Sequence, residues 1–429
     1  MSKEIKKSLA KDRRERTERV GAEIEEDLEF RDPKSAFGKL KKWYRQSTGR
    51  PLKPTREDLE ELTKEREQLY SKVENLQPMF KLVEVDTDVD DSIPGEEEIA
   101  KALKRMKNGK APGPSGIRAD QLKVWRRRWK KEMERREEDR NEEAMAPWEA
   151  VVEQIQEVYR SGKMPSRMTQ AICVLIPKND KGEYRGIGLL EAMWKLTTAV
   201  ANRRMSRGIR LHDAHHGFRE GRGTGTAILE TKLRMQLARR QGWPYYQVFL
   251  DLSKAYDTID RERMTAILQN YGVGPRLLKV LQQFWGNHQV VTKQETFYGE
   301  PFKATRGVTQ GDIISPMLFN IAVDAVIRAW ERDMKIWSRA RGKSWEEVGL
   351  DCEFYADDGK IGGFDATSVQ QSVTVLEDLF GRLGLKANAR KTKAMITLGC
   401  VETVKQSTQA YAEGLEAVES HTERGRQRR

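Results

Sequence analysis

Three carboxylates in this chain could do chemistry together, and two of them are adjacent. Asp357 and Asp358 stand in EFYADDGKI (353–361), between two short apolar runs, and Asp251 ends the apolar run YYQVFLDL (245–252). Neighbouring like charges repel and strands disfavour Asp, so something outside the strand must justify the pair. One reading is turn chemistry. Asp358-Gly359 is a common two-residue hairpin turn, because its central positions need positive φ. Cys352, Phe354 and Ala356 alternate before it and Ile361 opens the return strand. The other reading is a metal site. If the strands carrying Asp251 and Asp357 are neighbours in one antiparallel sheet, the three carboxylates converge, and divalent cations resolve their repulsion. Hard oxygen ligands suit two Mg²⁺ ions, or Mn²⁺. A pair of ions about 3.5–4 Å apart activates a hydroxyl and stabilises a leaving pyrophosphate. Nucleotidyl transfer needs that arrangement.

Other chemistries find less support. The five histidines include His215-His216, but no carboxylate or cysteine stands near them at zinc-ligand spacing. The Gly-rich GFREGRGTGTA (217–227) lacks the Gly-Lys-Ser/Thr of a phosphate-binding loop, and reads as a cap for the helix that follows or as a template contact. Asp257 and Asp260 are expected to organise the helix after Asp251 rather than to bind metal.

The elements that must position these residues follow from periodicity. Apolar strands are expected at 171–177, 184–190, 245–252 and 392–398, and helices around 191–207, 225–240, 260–272 and 368–384. A polar loop from Arg306 runs into a strongly apolar helix ending near Trp330. Upstream, Thr55 offers an N-cap for a helix whose stripe includes Leu59, Leu62 and Leu69. The acidic DTDVDDSIPG (86–95) marks a boundary. KNGKAPGPSGI (107–117) is a Lys- and Gly-rich loop, and the mixed charges of 126–143 suggest a solvated helix.

The whole chain bounds these readings. Its 429 residues suffice for two or three lobes. A net charge of +12 suits a polyanionic partner. The three cysteines have no close spacing, so neither a disulfide framework nor a zinc module is expected. No apolar run is long enough to span a membrane, and the charged first twenty residues lack a secretory core. These features point to an intracellular protein, nuclear or cytoplasmic.

VFLDLSKAYDTID (248–260), RGVTQGDIISPMLFN (306–320) and FYADDGKI (354–361), in that order, resemble the palm motifs of reverse transcriptases, best those of the non-LTR retrotransposon (LINE-like) branch. KNGKAPGPSGI, VLIPKNDKGEYRGIGLL (174–190), HHGFREGRGTGTAI (215–228) and GLKANARKTKAM (384–395) agree with that branch, so the resemblance covers about 94–398. It implies an RNA-directed DNA polymerase that extends a DNA primer on an RNA template with deoxynucleoside triphosphates. Asp251, Asp357 and Asp358 would be the catalytic, metal-binding triad, with Asp251 and Asp357 the firmer ligands. Tyr256 falls where the family keeps an aromatic that excludes a ribose 2′-OH. Its other reading is a core aromatic. Gln310 and Gly311 match the pair along the incoming nucleotide and template. Lys178 and Arg185 match residues that hold the triphosphate, though Arg185-Gly186-Ile187 replaces the usual Arg-Pro-Ile. Lys391 matches a proton donor to pyrophosphate, or is a surface residue.

The implied fold is an α/β (α+β) right hand of fingers and palm, with an antiparallel palm sheet and a helical lead-in. The expected divisions are a charged helical region at 1–93, fingers at 94–243, palm at 244–398 and a polar basic tail at 399–429. That tail is too short to build a thumb, so the thumb is expected to be largely missing. The alternative to an active polymerase core is a truncated, catalytically idle remnant that still binds nucleic acid.

Overall fold

The structure is a computed structural model that describes residues 56–178 and 183–397, together with a few helical residues between 15 and 23. Of the expected helical region at 1–93, residues 1–55, with Thr55, therefore fall outside or almost wholly outside the described residues, as does the tail at 399–429. The chain divides into two compact units. One holds residues 1–55 and 176–185, the other 56–175 and 186–429.

In chain order the elements begin with helices α1 (Arg56–Tyr70), α2 (Glu96–Arg105), α3 (Ala119–Met133) and α4 (Glu142–Ser161). Strands β1 (Gln170–Pro177) and β2 (Tyr184–Leu190) lead to helices α5 (Ala192–Gly208) and α6 (Thr224–Gln241). Strand β3 (Tyr245–Asp251) precedes helices α7 (Ala255–Thr258), α8 (Arg261–Asn270) and α9 (Pro275–Asn287). Next come the short strands β4 (Gln289–Gln294), β5 (Phe297–Tyr298) and β6 (Phe302–Lys303). The described chain closes with α10 (Ser315–Arg339), α11 (Trp345–Val348), β7 (Asp351–Tyr355), β8 (Asp358–Gly363), α12 (Ala366–Gly381) and β9 (Lys393–Thr397).

Two sheets result, and they differ in kind. One has the order β7-β8-β3-β9 with every neighbour antiparallel. This is the antiparallel sheet expected around Asp251 and Asp357. The other, β2-β1-β4-β5 with β6 also on β4, pairs β1 and β4 in parallel. Sequence reading missed α4, α9, β4, β5 and β6. Val290, Val291 and Thr292 carry a β-branched signal, but the run is short and its partner strand lies far back in sequence.

The core follows from apolar periodicity. Helix α10 is buried almost all round, with Leu318, Phe319, Ile321, Val323, Val326 and Ile327 at 1 % exposure or less, as its nearly continuous apolar run requires. Its one buried carboxylate, Asp324, is satisfied by the Tyr271 hydroxyl, the Arg328 Nε and the His212 N–H, each at 2.5 Å. Asp260 caps α8 by accepting from the Arg263 N–H at 2.9 Å, as its sequence position suggested. Helix α1 buries Leu59, Thr63, Arg66 and Tyr70. The Tyr70 carbonyl accepts the N–H groups of Thr305 and Arg306 at 2.9 and 3.0 Å, tying α1 to the loop before α10.

Candidate active site

Strand β3 delivers Asp251 to the end of the antiparallel sheet, where its residue partner on β8 is Asp358. Directly opposed residues share one face of an antiparallel pair, with Cβ atoms about 4.5–5.5 Å apart. Asp357 sits in the two-residue connection between Tyr355 and Asp358, which pair with each other. Partial desolvation first, then the charges of Asp357 and Asp251, hold the Asp358 carboxyl above its ordinary range, with Lys391 opposing. Three negative groups converge as the sequence required.

The turn itself differs from expectation. Its central residues are Ala356 and Asp357, not Asp358 and Gly359, and the positive φ falls on Ala356 at 57°. A non-glycine residue there carries backbone strain on the order of 1 kcal/mol or more. Gly359 instead answers a packing demand. It lies opposite Phe354, and a Cβ on it would meet the Phe354 ring at 2.5 Å. Phe354 is buried against Phe380, ring centroids 5.9 Å apart. The glycine therefore fixes the register, and the register moves the turn two positions back.

Lys391 lies just before β9, and its ammonium group bridges both oxygens of Asp251 at 3.2 and 3.3 Å. Tyr256, on α7, is half-buried and stacks on Phe319 with ring centroids 4.8 Å apart and planes 18° apart. Its hydroxyl oxygen is buried without a hydrogen bond. Burial first and the Asp357 charge second push this phenol far above its ordinary range. Tyr256 thus lies within electrostatic reach of Asp357, and it is also a packing residue.

Gln310 and Gly311 occupy the loop before α10. The Gln310 carbonyl accepts the Gly188 N–H at 2.6 Å. Gly311 has φ of +110°, and a Cβ on it would lie 2.5 Å from the Gly188 carbonyl oxygen. The close approach it permits is thus to β2. Gln310 Nε2 also reaches Asp257 at 3.3 and 3.4 Å. Sequence reading gave Asp257 to the following helix. Its buried carboxylate instead accepts the Tyr70 hydroxyl at 3.0 Å, with Arg66 Nη1 3.8 Å away. Helix α1 therefore braces the residue next to Tyr256, which no local pattern announced.

Asp312 is a second residue that spacing did not reveal. It is buried and accepts from Trp194 Nε1 at 2.7 Å and Thr198 Oγ1 at 2.9 Å. Burial raises its pKa despite these bonds.

Lys178 and Arg185 are exposed and belong to the smaller unit, Lys178 directly after β1 and Arg185 within β2. The Lys178 N–H donates to the Glu183 carbonyl at 2.8 Å, and its ammonium group lies 3.9 Å from the Glu183 carboxylate. Gly186 stands where the resemblance leads one to expect proline because Cys173 fills the space beside it. A Cβ on Gly186 would meet Cys173 Sγ at 2.6 Å.

In the larger unit a groove of about 1250 Å³ is lined by cationic side chains, among them Lys107, Lys110, Arg118, Arg203, Arg207 and Arg219. Gly188 and Gly311 line it too. The Lys-rich loop is held there by Ser115, whose N–H and hydroxyl both donate to the Glu191 carboxylate, at 2.6 and 2.5 Å. Among the described residues no helix is long and apolar enough to cross a membrane.

Comparison with known proteins agrees with the motif order. Residues 176–417 match the family model described as reverse transcriptase (RNA-dependent DNA polymerase). The chain is 23% identical over 236 residues to the transposon TX1 uncharacterized 149 kDa protein of Xenopus laevis, covering 53% of this chain and 16% of that protein. It is 23% identical over 234 residues to the retrovirus-related Pol polyprotein from type-2 retrotransposable element R2DM of Drosophila melanogaster, covering 54% and 22%. A similar protein from the type-1 element R2 of Nasonia vitripennis is 24% identical over 274 residues, covering 61% and 26%. The chain thus spans about a quarter or less of the length of these relatives. Among solved structures, a telomerase from Candida Tropicalis in complex with a fragment of telomeric RNA matches with a TM-score of 0.40 and 12% identity, over 58% of this chain and 44% of that one.

Proposed function

We propose, from the premise that this chain belongs to the reverse transcriptase (RNA-dependent DNA polymerase) family, that it extends a DNA primer on an RNA template by nucleotidyl transfer. The observation that carries the reading is the register of β3 on β8, which sets Asp358 opposite Asp251 with Asp357 in the intervening turn. The family uses divalent ions, and an all-carboxylate donor set fits Mg²⁺ better than softer metals. Asp251, Asp357 and Asp358 would hold two such ions. Such ions would supply a lowered pKa for the primer hydroxyl and positive charge for the departing pyrophosphate.

The remaining roles belong to the chain's own side chains. Lys391 neutralises Asp251 and stands ready to give a proton to the leaving group. Lys178 and Arg185 supply exposed cations for the triphosphate of an incoming deoxynucleotide. Tyr256 closes the space beside its sugar. Gln310 and Gly311 line the base and template side, and the basic groove takes the template backbone.

Primer extension on a primed RNA template, in Mg²⁺ and separately in Mn²⁺, tests this reading. The parent chain should extend the primer, whereas Asp357→Ala and Asp358→Ala should bind the template with parental affinity and add no nucleotides. A folded parent that binds the template yet never extends would leave the idle, binding-only remnant as the reading. Parental extension rates in either alanine variant would sink the site assignment.

A further inference from the structure

The residue pair His215-His216 had no ligand-spaced partner in sequence, but the fold brings two carboxylates to it. Segment 212–217 runs beside β7, with the His216 N–H donating to the Phe354 carbonyl at 2.9 Å and the Phe354 N–H to Ala214 at 2.8 Å. His216 is fully buried, at 0% exposure. Its tautomer follows from Thr226. That hydroxyl donates to the Gly223 carbonyl at 2.7 Å, so toward His216 Nδ1, 2.8 Å away, it acts as acceptor. Nδ1 therefore carries the proton and Nε2 is a bare lone pair.

This lone pair is buried and makes no hydrogen bond. It faces Glu230 Oε2 at 3.6 Å, and with Glu353 completes a set of three donor atoms within 4.8 Å of one another. A buried nitrogen lone pair beside two carboxylates stays without a partner unless a cation joins it to them. The nearby cations are engaged with the carboxylates instead. Lys360 Nζ lies 3.0 Å from Glu353 Oε1 and is shared with Asp351 at 2.6 Å, and Arg222 lies 3.6 Å from Glu230 Oε1.

We propose that His216 Nε2, Glu230 and Glu353 bind one divalent cation of the zinc class, at a site separate from Asp251, Asp357 and Asp358. One imidazole with two carboxylates is a ligand set for borderline metals, whereas the aspartate cluster offers oxygen alone. Bond lengths of about 2.0–2.2 Å require the three donor atoms to draw in from their present spacing. Glu230 can supply that movement, because it is a half-exposed side chain on the surface of α6. Glu230 and Glu353 also line a cavity of about 470 Å³, from which the ion and a water as fourth ligand would reach the carboxylates. The supporting bonds are already made. Thr226 holds Nδ1, the Thr231 hydroxyl donates to Glu353 Oε2 at 3.1 Å, and Lys360 holds the other oxygen. The ion would join segment 212–217, α6 and β7, the strand that leads into Asp357.

The test uses the full chain, stripped with a chelator, held in excess Mg²⁺ and titrated with Zn²⁺ alone against a chromophoric chelator. One Zn²⁺ per chain is expected. Glu230→Ala should weaken it by more than the about 10–100-fold typical of supporting residues, and Glu230→His should restore binding. Asp251→Asn should leave affinity and stoichiometry unchanged. Melting curves without metal confirm that Glu230→Ala keeps the fold, since its side chain is half-exposed. The proposal is overturned if the stripped parent takes up no stoichiometric Zn²⁺, if binding survives Glu230→Ala, or if Asp251→Asn abolishes it.

Discussion

Replacing Tyr256 separates two roles that the structure assigns to one side chain. Its ring is half-buried and stacked on Phe319, while its hydroxyl is buried beside Asp357 without a hydrogen bond. Full truncation of a buried aromatic costs about 3–5 kcal/mol, and an aromatic pair contributes about 0.5–1.5 kcal/mol of such a loss. Tyr256→Val keeps part of the packing at a half-buried site, so about 2 kcal/mol is the expected loss of stability. Tyr256→Phe should go the other way. It keeps the ring and removes a polar group whose unsatisfied burial costs about 1–3 kcal/mol, so melting temperature should hold or rise. If the ring blocks a ribose 2′-OH by sterics, the valine variant should lose about 1–3 kcal/mol of discrimination, about 10–200-fold in relative kcat/KM. The phenylalanine variant should keep all of it. The assay is melting temperature together with kcat/KM for deoxy- and ribonucleotides on the parent and both variants. A folded, active valine variant with parental selectivity would refute the gate. Lost selectivity in the phenylalanine variant would show that the hydroxyl, not the ring, discriminates.

Gly359→Ala should destabilise the hairpin by about 1–3 kcal/mol and lower extension, because its Cβ would strike the buried Phe354 ring at 2.5 Å; chemical denaturation reads the loss. If five of the cations lining the basic groove each meet a phosphate of single-stranded template, affinity should fall about a hundredfold between 50 and 200 mM salt. A flat salt titration would exclude the groove as a template path. His288 is buried, with Nδ1 donating to the Thr169 carbonyl at 2.9 Å, and burial lowers its pKa from 6.5 to about 3. A depressed histidine contributes stability that is present above its unfolded value and lost as pH falls. Stability should therefore decline from pH 6.5 toward 3, by up to about 1.4 kcal/mol per pH unit from this group. His288→Gln should flatten that slope in denaturation curves taken across the range.

What could be read from the sequence is what short range determines. The apolar alternation of 245–252 and 353–361, and the helical period after each, depend on neighbours a few residues away. The positions of β3, β7, β8 and α10 were therefore legible, and so was the convergence of Asp251 with Asp357 and Asp358 once their strands were taken as partners. Of the second sheet only β1 and β2 were legible, because β4 has just three β-branched positions, Val290, Val291 and Thr292, and pairs with a strand more than a hundred residues upstream. Local chemistry also misplaced the turn. Asp-Gly is a good turn pair, but Gly359 is needed beneath the Phe354 ring, and that cross-strand contact moved the turn to Ala356 and Asp357. Asp257 shows the same limit, since Tyr70, Arg66 and Gln310 reach it from distant segments. His216, Glu230 and Glu353 were unremarkable in order along the chain. Folding buried a nitrogen lone pair among two carboxylates, and only the three-dimensional arrangement decides what such a group can bind.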